Sequence, residues 1–211
     1  MKKILIIIFC FSIVQGENGE NISFKYGILG HHHTNPDSII ELSDRSIVYT
    51  GDGVRINIGY TKDSYFYLIY LDSEGEFYME IPDSSTDGNK MDTLYTTILQ
   101  GNLKNPPGLE IFYLLNSEKP LSDLTKLISR YDSAPEKGKI KLGKKIQSHI
   151  DALDPGVKAD LSSIASRLDK PLVGGVAFRG DEDDELKDMS LTHKCNGISG
   201  IAFKKITLIH K

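Results

Sequence analysis

Hydrophobic and polar positions alternate with a period of two through most of the first half of the chain. Val54, Ile56 and Ile58 are interleaved with Arg55 and Asn57, which predicts a strand with one buried face. The next run, Tyr65 to Leu71 (YFYLIYL), breaks that pattern because every position is apolar or aromatic. Such a strand must be covered on both faces or lie centrally in its sheet. Phe77, Met79 and Ile81 resume the alternation against Glu76, Tyr78 and Glu80. Asp72-Ser73-Glu74-Gly75 connects the two runs as a hairpin in which Gly75 takes the left-handed conformation. Ile22 to Leu29 predicts a first strand, and His31 to Asp37 (HHHTNPD) a loop after it. A polar loop is expected from Pro82 to Met91, and a further strand over Glu110 to Asn116.

The period changes to a helical one at Ser117. Leu121, Leu124, Leu127, Ile128 and Tyr131 predict a helix capped by Ser122. Ile140, Ile146 and Ile150 predict a second, Lys-rich helix. Asp154-Pro155 reads as the start of a third, with Val157, Leu161, Ile164 and Leu168 on its apolar face and Pro171 ending it. Strand patterns return over Leu172 to Phe178 and Ile201 to Ile209. The prediction is a mainly β, α+β fold: an antiparallel β-sandwich or barrel-like sheet with a helical insertion over 122–170 and returning strands over 171–211.

The N-terminus adds a destination. Lys2-Lys3, the apolar run Ile4 to Val14 and the small residues near Gly16 have the order of a secretory signal peptide over 1–16, leaving 17–211 as one β-rich domain. The apolar run is too short to span a bilayer, which takes about 20 residues. The expected location is therefore extracytoplasmic, periplasmic or secreted, with no membrane span after signal removal. Losing the segment removes two of 25 basic residues and none of 29 acidic ones, taking the net charge from −4 to about −6. An acidic chain is a poor partner for nucleic acid. Cys10 leaves with the signal and Cys195 stays alone, so no internal disulfide is expected.

The segments YTGDGVRINI, DSYFYLIYLDSEGEFYMEIP and NPPGLEIFYLLNSEKPLSDL resemble the bacterial domain-of-unknown-function family 4384. The resemblance rests on Gly51, Asp52, Asp72, Gly75, Pro82, Pro107, Gly108, Glu110, Ser117, Pro120 and Leu121, and covers Ser43 to Leu127. It implies turn and strand roles for these residues, a module without an assigned activity, and no catalytic residue.

The chemistry-bearing candidates are few. His31, His32 and His33 could offer imidazoles to a transition metal. Successive residues of an extended segment alternate in direction, so three in a row are not expected to converge without a ligand from elsewhere. His193 and Cys195 share one face of a strand but lack the partners of a zinc site. Asp181 to Glu185 is acidic without the alternating spacing of a calcium loop, and reads as a solvated loop. Tyr60, Tyr65, Tyr67, Tyr70 and Tyr78 read as core and cross-strand packing before they read as a groove. Phosphate-cradling, nucleophile-elbow and HExxH motifs are absent from the sequence. The expectation is a non-catalytic exported binding or accessory module of the bacterial cell envelope, with no cofactor and a protein or envelope partner. The alternative is a small extracytoplasmic hydrolase or metal-dependent enzyme using His193 or His31 to His33, which requires histidines and carboxylates to meet in one place.

Overall fold

The computed structural model describes residues 22–61, 63–81, 93–154, 191–197 and 200–211. The expected third helix, the strand over Leu172 to Phe178, the acidic run at Asp181 and the signal segment lie outside these residues.

Among the described residues ten strands form two sheets. The first has the order β2-β1-β4-β7, with β9 pairing to β1, and uses β1 (Ser23–His32), β2 (Asn35–Glu41), β4 (Gly53–Thr61), β7 (Thr93–Asn102) and β9 (His193–Asn196). The second has the order β3-β10-β8-β5-β6, from β3 (Ile47–Val48), β5 (Tyr65–Leu71), β6 (Phe77–Glu80), β8 (Gly108–Ser117) and β10 (Ile201–His210). Among the described residues all pairings are antiparallel except β3 with β10. The sheets stack as a sandwich and not as a closed barrel. Helices α1 (Ser122–Asp132) and α2 (Glu136–Leu153) pack on the second sheet as a third layer.

Three layers explain why β5 is apolar on both sides. Phe66 and Leu68 enter the core between the sheets with Phe24, Ile28, Ile56, Ile58, Phe112 and Leu114. Tyr67 and Ile69 point the opposite way, into a second core with Tyr113, Leu115, Leu124, Ile128, Ile146 and Ile150. The tyrosine hydroxyls attach the helices: Tyr67 Oη accepts from the Leu121 amide at 3.0 Å, and Tyr113 Oη donates to Gln147 Oε1 at 3.2 Å. Gly75 has φ +87° at the predicted hairpin, where a left-handed residue closes the turn.

The structure corrects several expectations. The His31 to Asp37 loop is the end of β1, a tight turn and the start of β2. A strand not foreseen, β7, pairs along the whole of β4. Ser122 is the first helical residue, following Leu121 at the cap without a side-chain cap bond. Ile140 is 62 % exposed and turned away from the core, while Ile146 and Ile150 are fully buried. Ile146→Ala should therefore lower unfolding stability by about 2–5 kcal/mol and Ile140→Ala by less than about 0.5, read from urea denaturation.

Candidate metal centre

The polar end of the sandwich is built by two turns. β1 carries a register shift between His31 and His32, with His32 opposite Asn35. The shift and the following turn break strand alternation. His32 and His33 consequently lie on one side, their ring centroids 4.3 Å apart. The second turn leads into β4 and supplies Asp52. Gly51, with φ +88°, lets it approach closely: a Cβ there would meet His33 Cβ at 3.3 Å.

Asp52 is the fixed point of the cluster. Its Oδ1 accepts the His33 amide at 3.0 Å and its Oδ2 accepts the Tyr49 amide at 2.9 Å. His33 Nδ1 lies 3.1 Å from Oδ1 and His32 Nε2 lies 3.8 Å from it. Burial alone would raise the Asp52 pKa. The backbone and ring hydrogen bonds from His33, the Tyr49 amide and the nearby His32 together outweigh it and hold the carboxyl below its ordinary value. Asp52 is thus an anion at neutral pH.

One ligand atom from each of His32, His33 and Asp52 can be chosen with all three inside 4.8 Å of one another. Donors around a tetrahedral zinc ion, each about 2.0–2.2 Å from the metal, stand about 3.4 Å apart, so small side-chain rotations close the set. A carboxylate that accepts two backbone amides keeps lone pairs for an ion and is already oriented. His32 Nδ1 lies 2.6 Å from Thr34 Oγ1 and accepts the Thr34 amide at 3.3 Å, which orients the ring with Nε2 toward Asp52. The side chains of His32 and His33 are 43 % and 46 % exposed against 8 % for Asp52, so solvent reaches the open side.

The other sequence candidates do not join this set. His31 lies across β4, opposite Gly53, where a Cβ would fall 2.0 Å from its Nε2. Its buried Nδ1 has no hydrogen-bond partner. His193 stacks on Tyr26 and pairs with Glu41 Oε1 at 3.0 Å. Tyr26 is six residues along β1 from His32, about 20 Å away. Cys195 shares the strand with His193 but is buried, with its thiol donating to the Phe203 carbonyl at 3.3 Å. Burial pushes its pKa up to about 11, so at neutral pH it is a thiol and not a thiolate ligand. A thiol reagent at pH 8 should leave Cys195 almost unmodified in the native protein and react fully once urea unfolds it. Rapid native labelling would contradict this placement.

A second polar constellation was invisible in the sequence. His210 Nδ1 lies 2.9 Å from Glu110 Oε1, and both side chains are almost wholly buried. Tyr70 donates to Glu110 Oε2 at 2.5 Å, and His210 Nε2 lies 3.0 Å from Thr50 Oγ1. Hydroxyl, imidazole and carboxylate in a row have the form of a nucleophilic triad. The turn is poorly arranged for that chemistry: the Thr50 and Gly51 amides donate to the Lys211 and Leu103 carbonyls and offer no oxyanion site. The chain of bonds instead ties the Tyr49 to Asp52 turn to β8 and β10. Its only sequence trace is that Glu110 and His210 occupy inward strand positions in phase with Phe112, Leu114 and Leu208.

Among the described residues no helix is long and apolar enough to cross a membrane. No family model, no curated protein and no solved structure matches the chain.

Proposed function

We propose that this protein is a non-catalytic, extracytoplasmic binding module of the bacterial cell envelope, and that its ligand is a divalent transition-metal ion. The observation that carries the metal assignment is the convergence of His32, His33 and Asp52 on one point, with Asp52 held as an anion. Two imidazoles and a carboxylate suit zinc, nickel or copper(II) better than magnesium or calcium, which prefer oxygen ligands. The export reading is supported by the basic and apolar N-terminal order of Lys2 to Val14.

Equilibrium titration of the metal-free protein with zinc, nickel and copper(II) tests the assignment. The expected result is one ion per chain for the wild type and strongly weakened binding for His32→Ala and His33→Ala. Binding that survives both substitutions would remove the site, and magnesium or calcium binding in preference to zinc would reverse the assigned chemistry.

A further inference from the structure

We propose that the outward face of α2 docks the protein onto an anionic phospholipid surface. Ile146 and Ile150 fix which side of α2 meets the second sheet. At 100° per residue, Lys137, Lys141, Lys144 and Lys145 fall on the opposite side, and all four are exposed. From Lys137 to Ile150 the helix contains no acidic residue; Glu136 and Asp151 stand at its two ends. These four lysines make no ion pair among the described residues, unlike Lys139 on the sheet side, which pairs with Glu76. Exposed Ile140 sits among them.

The composition of the face selects the partner. An acidic chain concentrating four cations on one convex helix face creates a local field opposite in sign to its net charge. Lysine is a point charge on a flexible stem and does not make the bidentate fork by which arginine recognises a single carboxylate. The face therefore suits a diffuse, laterally mobile array of phosphates better than an acidic peptide. Ile140, exposed at the edge of this face beside Lys144 and Lys137, can enter the headgroup boundary while the lysine stems spread alongside it. Neighbouring α1 carries exposed Lys126 and Arg130 alongside exposed Asp123 and Asp132, so its mixed charge adds no comparable field.

The test is cosedimentation of the full chain with vesicles of phosphatidylcholine alone or containing 30 % phosphatidylglycerol, at about 50 mM and 500 mM salt. The N-terminal run with Lys2 and Lys3 contributes equally in wild type and variants, so the readout is the ratio between vesicle types compared between wild type and the α2 variants. The expected ratio is about a hundredfold at low salt, shrinking at high salt. Lys137→Glu/Lys141→Glu/Lys144→Glu should abolish it while circular dichroism stays that of the wild type. The milder Lys→Gln triple variant, which keeps helix propensity, should reduce it strongly and serves if the first does not fold. Equal binding to both vesicle types by the wild type, or a ratio unchanged in the folded variant, would overturn the proposal. A preference for acidic peptides with no vesicle preference would overturn it in favour of a protein partner.

Discussion

Glu110→Ala should lower unfolding stability by about 3–5 kcal/mol, the cost of removing one partner from a buried ionisable pair. The carboxylate satisfies His210 Nδ1 through one oxygen and the Tyr70 hydroxyl through the other; Glu110 and His210 are buried and Tyr70 is half-buried. Without it the His210 ring nitrogen stays buried and unpaired, and the half-buried Tyr70 hydroxyl loses its partner. The Tyr70 pKa is raised, first by burial and then by its hydrogen bond to Glu110, so in the wild type the phenol stays the donor of this bond. Glu110→Gln keeps the shape and one acceptor and should cost less, about 1–3 kcal/mol. Replacing both members, as Glu110→Leu/His210→Phe, should recover a substantial part of the single-variant loss because no orphaned polar group remains. Urea denaturation of the four variants reads these differences. A Glu110→Ala cost below about 1 kcal/mol would mean that water enters this end of the sandwich.

Substitution of a metal ligand is expected to have the largest functional effect. Losing second-shell support typically costs 10–100-fold in metal affinity, and losing one of the three proposed ligands should cost at least about a hundredfold. His33→Ala removes a ligand while leaving the turn nearly intact, because His33 contributes its backbone amide to Asp52 whatever its side chain. Asp52→Ala removes a ligand and two backbone caps together, so it should lose both affinity and about 1–3 kcal/mol of stability. Asp52→Asn keeps one acceptor oxygen and should separate the two effects. The pH dependence has a definite sign. Imidazole ligates only when neutral, so metal affinity should fall as the solution is acidified. Asp52 contributes differently: its pKa is depressed in the folded state, so its stabilisation is present above the unfolded carboxylate value near 3.9 and is lost only as pH falls through the lower folded value.

The elements most legible in the sequence were those decided by local pattern. The two-sided apolar run of β5 required cover on both faces, and the helix layer supplies it. The Gly75 turn followed from the one residue able to adopt its backbone angle freely. β2 and β7 were not legible for opposite reasons. β2 is exposed along nearly all its length and lacks an alternating face, while TLYTTILQGN of β7 is rich in β-formers without a clean period. Alternation also misdirected the reading of His31 to His33, because it holds only while the strand is regular. His31, still in regular register, lies across Gly53, and the shift after it gathers the next two at Asp52. Pairings such as Glu110 with His210 and Thr50 with His210 join residues far apart in the chain, and no local spacing encodes them.

X-ray absorption at the zinc edge of the protein loaded with one equivalent of zinc tests the metal centre most directly. The account predicts a shell of nitrogen and oxygen donors at about 2.0–2.2 Å, the outer-shell scattering of two imidazoles, and no sulfur at about 2.3 Å. In His33→Ala the imidazole signal should halve. A sulfur shell, implicating Cys195, or a spectrum without imidazole that His32→Ala and His33→Ala leave unchanged, would contradict it.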